Sequence, residues 1–206
     1  IKNNAFSGSA AVSAIVQDWY IGSEAGNALA SILMGDVNPS GKLPFTFPSK
    51  LEDNSAHALG EFVYERKNEI VDIKYNESIF VGYRWADKQK KVRPLFPFGH
   101  GLSYTTFAYG KATSDKKEMA SNDMLTITIP VTNTGNREGA EIVQLYISDL
   151  KSSLPRPIKE LKGFKKIMLA PGETKDVVFR VDKNALHYYD DIKQTWIVES
   201  GKFEAI

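Results

Sequence analysis

The 206-residue chain contains no cysteine, so disulfide bridges and thiolate metal sites are excluded. Cysteine absence does not fix the compartment, because many secreted and periplasmic proteins also lack it. No apolar run approaches the roughly 20 residues needed to span a bilayer. Charge of one sign is missing too: 26 Lys and Arg against 25 Asp and Glu leave a formal charge of +1, with no long run of either sign. Composition therefore offers no reason to expect nucleic acid or a membrane surface as partner. The three histidines, His57, His100 and His187, are far apart and form no ligand pattern such as HExxH, so no metal or cofactor is expected. What remains is the makeup of an ordinary globular protein, 42% hydrophobic and 25% charged. Its length suits one large or two small domains.

The most informative stretch is RPLFPFGHGLSYTTF, Arg93 to Phe107. Pro94 and Pro97 fix φ and remove backbone donors, while Gly99 and Gly101 flank His100 and permit positive φ. With Phe96, Phe98 and Tyr104 among them, these residues predict an ordered, aromatic-anchored turn and not a floppy linker. The hydrophobic period changes across it. Residues 1–92 predict the end of an α/β domain with an extended wrapping segment, 93–104 the seam, and 105–206 an all-β sandwich.

Before the seam, the run AIVQDWY from Ala14 predicts a strand buried on both faces. Gly22-Ser23 breaks it, with Ser23 as a helix N-cap and Glu24 in the first turn. Ala25, Ala28, Leu29, Ile32 and Leu33 then recur on one helical face, and Gly35 is placed just past the helix end. Asn38-Pro39-Ser40-Gly41 is a turn signature. Leu43, Phe45 and Phe47 alternate, with Pro44 and Pro48 restricting them to an edge or extended segment. Ser49 to Asn76 is polar and aperiodic, which predicts a segment wrapping a surface. SIFVGYRW, Ser78 to Trp85, predicts a strand, and Lys88 to Lys91 a solvated turn.

After the seam the period becomes two. Leu125, Ile127, Ile129 and Val131 alternate with polar residues and Pro130, as do Val143, Leu145 and Ile147, and Val177, Phe179 and Val181 recur at the same spacing. Asn133-Thr134-Gly135-Asn136 and Ala170-Pro171-Gly172-Glu173 are turns, the second with Pro and Gly placed for type II. With Phe107–Lys111, Lys159–Leu169, Thr195–Val198 and Lys202–Ala205, these predict about seven strands over roughly 100 residues, an immunoglobulin-like sandwich of the fibronectin type III variety.

Several long segments, in this order, carry a family resemblance: WYIGSEAGNALASILMGDVNPSGKLPFTFP (Trp19–Pro48), YNESIFVGYRWAD (Tyr75–Asp87), PLFPFGHGLSYTTF (Pro94–Phe107), VTNTGNREGAEIVQLYISD (Val131–Asp149), RPIKELKGFKKIMLAPGET (Arg156–Thr174) and ALHYYD (Ala185–Asp190). Together they resemble the C-terminal part of a glycoside hydrolase family 3 enzyme of the β-glucosidase or β-xylosidase kind. The resemblance implies the end of an α/β sandwich domain followed by a fibronectin type III-like domain. It also implies a β-linked glycoside or oligosaccharide substrate, an N-terminal barrel and α/β domain as partners within one protein, no cofactor, and a periplasmic or extracellular setting.

Retaining glycosidases need two carboxyl groups about 5–5.5 Å apart. In the family the nucleophilic Asp lies on the barrel, and the acid/base Glu lies upstream of the segment matching Trp19–Pro48. Neither maps onto this chain, so the resemblance implies no catalytic residue here. Glu24 is the candidate by position, at a strand-to-helix turn where α/β domains place functional groups; a carboxylate stabilising the helix dipole is the competing reading. Glu77, Trp19, Tyr20, Tyr83 and Trp85 are candidates for facing a sugar, together with Phe98; loop solvation for Glu77 and core or interface packing for the rings compete. His100 is read as a turn residue bonded to backbone before it is read as catalytic. Three functions fit: a non-catalytic C-terminal portion of a glycosidase, a free carbohydrate-binding module, or a structural sandwich. The second requires an exposed aromatic platform. The outward positions of the clearest strands are mostly Thr, Gln and Arg, with Tyr146 the one aromatic.

Overall fold

The computed structural model describes residues 13–59, 74–89, 93–120 and 122–206. Most of the Ile1–Ser13 segment, the middle of the Ser49–Asn76 stretch, and Lys90 and Lys91 lie outside the described residues. The chain divides into two compact units, Ile1–Val37 with Leu43–His100, and Asn38–Lys42 with Gly101–Ile206.

In the first unit the expected helix is present as α1, Ala25–Met34, entered through a 3-10 turn at Gly22–Glu24. Its C-terminus closes as a Schellman motif. Gly35 adopts φ 82, its N–H donates to Ile32 O at 3.0 Å, and the Asp36 N–H donates to Ser31 O at 2.9 Å. The N-terminus differs from expectation. Glu24 occupies the cap position with no side-chain cap bond, and Ser23 lies inside the 3-10 turn.

The strand expected over Ala14–Tyr20 is not formed. These residues have no regular structure and are exposed, and Trp19 sits at φ 54. A strand is held by its neighbours, and among the described residues none pairs with this segment. The strand expected over Ser78–Trp85 is also absent. Ser78 takes φ 55, and Gly82 takes φ 58 with ψ -128, a combination open essentially to glycine alone. The chain reverses there and forms a short helix instead. With α2 at Ser55–Leu59, this helix is α3, Tyr83–Lys88. Residues 43–47 and 95–100 do run antiparallel, through a Phe47–Phe96 bridge and bonds from Leu43 N to His100 O and from Gly99 N to Leu43 O, each 2.8 Å. Pro44 and Pro97 lack donors, which keeps this pairing from extending into a ladder.

The second unit is the sandwich. Its strands are β1 (Phe107–Tyr109), β2 (Thr113–Ser114), β3 (Leu125–Asn133), β4 (Gly139–Asp149), β5 (Glu160–Leu169) and β6 (Thr174–Val181). A short helix α4 (Lys183–Leu186) follows, then β7 (Tyr188–Asp190), β8 (Thr195–Ile197) and β9 (Phe203–Ala205). One sheet joins β1, β2 and β6 to β3; the other has the order β5-β4-β9; β7 and β8 form a separate hairpin. Seven described strands thus build the two sheets, as expected, but with altered membership. The Thr195–Ile197 strand leaves for the hairpin, and the unforeseen Thr113–Ser114 joins. Inward residues of both sheets, Ile127, Val131, Val143, Leu145, Ile147, Leu169, Val177, Phe179 and Val181, form the core. The 170–173 turn is type II as predicted, with Gly172 at φ 75 and Glu173 N donating to Ala170 O.

Two polar arrangements fix this unit. Asn133 is fully buried. Its Oδ1 accepts from Thr105 Oγ1 at 2.7 Å and Gly135 N at 3.1 Å; its Nδ2 donates to Arg137 O at 2.7 Å and Leu169 O at 3.0 Å. Every bonding site of the amide is used, and the Leu169 bond runs from β3 in one sheet to the end of β5 in the other. The second arrangement explains why Asn38–Lys42, expected within the 1–92 unit, counts with the sandwich. Asn38 Oδ1 accepts from Ser103 Oγ and Tyr104 N, and its Nδ2 donates to Glu138 O. Lys42 Nζ lies 3.0 Å from a carboxylate oxygen of the buried Glu141 and donates to Gly101 O.

Replacing Asn133 with Leu strands a hydroxyl, an amide and two carbonyls, and is expected to cost about 3–5 kcal/mol. Urea unfolding of the whole chain reads this directly; a loss below 1 kcal/mol would show the hub to be dispensable. Fragment 101–206 lacks Lys42 and leaves the Glu141 carboxylate without its cationic partner, with the Tyr109 hydroxyl still bonded to it, at a cost of up to about 3–5 kcal/mol by the rule for broken buried pairs. It should unfold at lower urea than the whole chain, and Glu141→Gln should restore part of the difference within that fragment.

Candidate functional site

The candidate residues before Gly101 are carried by helix α3, which holds Tyr83 and Trp85, and by the segments flanking α1 and α3. Pro44, Pro94 and Pro97 hold the surrounding segments extended, which lines up their aromatic side chains. Trp19 meets Phe45 edge-on at 5.3 Å between centroids, Phe45 meets Phe47 at 4.4 Å, Phe47 meets Phe96 at 6.2 Å, and Phe96 stacks on His100 at 5.6 Å. Tyr83 packs on Phe98 at 4.9 Å. Of the rings named as candidates, Trp19 thus heads a file of five with Phe45, Phe47, Phe96 and His100, and Tyr83 and Phe98 form a separate pair. His100 is part of the file. Its backbone N–H donates to Pro97 O and its carbonyl accepts from Leu43, as expected of a turn residue.

The individual candidates separate clearly. Trp85 is a core residue, 7% exposed, with its indole N–H donating to Asp53 O at 3.0 Å; burial removes it as a sugar-stacking surface. Tyr20 is fully exposed and Trp19 is 45% exposed. Glu24 is exposed and accepts from Asn27 Nδ2 at 2.6 Å, one helical turn on. Glu77 is half-buried, with its carbonyl accepting from Phe80 N at 3.0 Å. A cavity of about 40 Å³ beside Trp85, lined also by Thr46, Asp53, Ser55 and Pro94, has room for about one water molecule and not for a pyranose ring. Among the described residues, no cluster of His, Cys, Asp and Glu could hold a metal ion.

The sandwich unit holds the charged clusters that sequence reasoning missed. Arg156 is nearly buried between Asp149 at 3.0 Å and Glu160 at 2.7 Å, donates to Leu186 O, and lies over the Tyr188 ring. Glu199 accepts from Ser153 Oγ, Ser153 N and Tyr188 Oη. Those hydrogen bonds, the Ser153 hydroxyl first, hold the Glu199 carboxyl below its ordinary value. The backbone N–H of Lys193, then its side chain, does the same for Asp190. Burial, and second the charge of Glu141, push the Tyr109 phenol well above its ordinary value. These partners lie 7 to 46 residues apart, except within single turns, and no local motif announces them. All are bonded within the sandwich and serve its architecture.

Residues 3–104 match the C-terminal domain of family 3 glycosyl hydrolases, and residues 141–206 match a fibronectin type III-like domain. The chain belongs to glycoside hydrolase family 3. Within that family it is similar to the β-glucosidase BoGH3A of Bacteroides ovatus, 50% identical over 94% of this chain, and to the thermostable β-glucosidase B of Acetivibrio thermocellus, 49% identical over 91%. Among solved structures it resembles a family 3 β-glucosidase of Bifidobacterium adolescentis, with a TM-score of 0.80 and 36% identity over 91% of this chain. It also resembles the β-glucosidase of Kluyveromyces marxianus in complex with glucose, with a TM-score of 0.77 and 42% identity over 90%. The chain covers 26% and 24% of the two curated relatives and 26% and 21% of the two solved chains, about a quarter of their length.

Because the folded state depresses Glu199 and Asp190, their contribution is present above the ordinary carboxylate range and is lost as pH falls through it toward the lowered values. The thermal midpoint should therefore drop between neutral pH and about pH 3. Glu199→Gln should lower the neutral-pH midpoint and flatten the acid fall; an unchanged acid limb would remove Glu199 from its origin.

Proposed function

We propose that this chain serves as the non-catalytic C-terminal portion of a retaining, exo-acting β-glucosidase that hydrolyses terminal β-D-glucosyl residues. Its partners are the barrel and α/β domains of the same protein. Its task is to stabilise the α/β domain and shape the rim of the cleft. The observation that carries this reading is the match, at about half identity across more than nine-tenths of the chain, to enzymes named β-glucosidases.

The first unit supports it physically. Helix α1 has no buried residue. Ile15, Val16 and Leu33 are 49%, 45% and 64% exposed, and Leu29 and Ile32 are half-buried. Fully burying one such side chain is worth about 1.5–3 kcal/mol, and with roughly half of each still exposed the five leave on the order of 5 kcal/mol to be gained, the lower end of a domain's stability. A stripe of this size calls for a covering layer, and the α/β domain of the proposed parent enzyme supplies one.

The purified chain should show no turnover of an aryl β-glucoside, while the parent enzyme should hydrolyse it and Glu24→Gln should leave that rate unchanged. Turnover by the chain alone, abolished by Glu24→Gln, would make Glu24 catalytic and overturn the reading. Hydrogen exchange gives a second check. The Leu29 to Leu33 amides should exchange fast in the chain alone and become protected in the parent enzyme, whereas β3 and β4 should be protected in both.

A further inference from the structure

The β7–β8 hairpin carries two exposed aromatic side chains side by side, whereas β1 and β5 of the main sheets each expose one, Tyr109 and Phe164. Tyr189 and Trp196 face each other in register across it. Directly opposed residues of an antiparallel pair share a face, and His187, two residues before Tyr189, lies on that face too. His187 stacks flat on the Trp196 indole, 4.3 Å between centroids and 29° between planes, and its Nδ1 is buried. The histidine therefore backs one side of the indole. Tyr189 stands at the indole edge, 5.5 Å away and inclined by 72°. Trp196 is nevertheless 60% exposed and Tyr189 49% exposed. The hairpin beneath is anchored on its other face, where Asp190 accepts from the Ile192 and Lys193 N–H groups and Tyr188 bonds Glu199. An indole braced from behind, with a phenol ring as a side wall, is an open corner on a fixed base.

We propose that this corner binds a glucosyl unit of a β-linked gluco-oligosaccharide. Pyranose rings are recognised through their C–H faces, which lie flat on aromatic rings while hydroxyls at the ring edge take hydrogen bonds from polar tips such as a tyrosine hydroxyl. β-Glucopyranose suits this surface best because all its substituents are equatorial, the glycosidic oxygen included. Both faces then present only axial hydrogens. An α-linkage sets the anomeric oxygen axial on one face, so an α-linked unit has only its other face free to lie flat, and successive units turn away from the plane of the indole. The choice of glucose as the sugar rests on the proposed function; the stacking geometry does not. The site would keep the enzyme on a polymeric or clustered substrate.

The test is an NMR titration of the whole 206-residue chain with cellotetraose. The largest shifts should centre on the Trp196 indole and on Tyr189 and should saturate. Maltotetraose, α-linked, should give no saturable change. In Tyr189→Ala the dissociation constant should rise about tenfold, equivalent to about 1.4 kcal/mol. The parent enzyme carrying Tyr189→Ala should be retained less on insoluble β-glucan. The wild-type shift map needs no variant, so a misfolded substitution cannot mask the answer. Absence of a saturable shift at millimolar cellotetraose, shifts centred away from the hairpin, or an equal response to maltotetraose would each overturn the site. A parent enzyme that cleaves no β-glucoside while the hairpin still binds cellotetraose would overturn the proposed function and leave the site standing.

Discussion

The sandwich is closed by the amide of Asn133. A buried amide is tolerated only when all its donors and acceptors are used, and here four partners meet that condition from the 105 turn, the 133–137 turn and the end of β5. Hydrophobic burial of Val131, Val143, Leu169 and Val177 drives the two sheets together, but it is not directional. The Asn133 amide adds direction. It bonds β3 to the end of β5 in the opposite sheet, and its own backbone groups receive the 172–173 turn at 3.0 and 2.9 Å. The register of the core follows from that one end.

How much of this was legible in the sequence depended on the range of the deciding interaction. Strands β3, β4 and β6 could be read because a two-residue alternation is local and each strand buries one face. Gly35 and Gly172 could be read because turn chemistry is local as well. The Ser78–Trp85 segment misled because its β-branched and aromatic residues suit a strand, whereas Gly82 and Ser78 set a positive φ that reverses the chain. Ala14–Tyr20 has strand composition but no strand to pair with, and composition cannot report a missing neighbour. Asn133 itself was visible as a turn residue; its bond to Leu169, 36 residues on, was not.

The candidate site was legible to a similar degree. The aromatic residues around the Arg93–Phe107 segment were identified, and the structure sorts them by burial, which withdraws Trp85 and leaves Trp19 and Tyr20 outside. The hairpin aromatics went unnoticed because β7 and β8 are three residues each, too short to show a period. The spacing of His187, Tyr189 and Trp196 becomes a surface only once the turn at 191–194 folds them onto one face. The enzyme assignment came from long ordered matches and not from any catalytic constellation, as befits a chain whose family resemblance locates the reacting carboxyls elsewhere.

The stitching of Asn38–Lys42 into the sandwich has a consequence for inheritance. This module is not fully enclosed by a single break at residue 100, because five of its residues are encoded some sixty codons upstream, where Asn38 and Lys42 serve Glu138, Ser103, Tyr104 and Glu141. A recombination event that moved only the later segment would carry away an unneutralised glutamate and three bereft polar groups. A break that keeps these bonds has to fall before Asn38, not at residue 100.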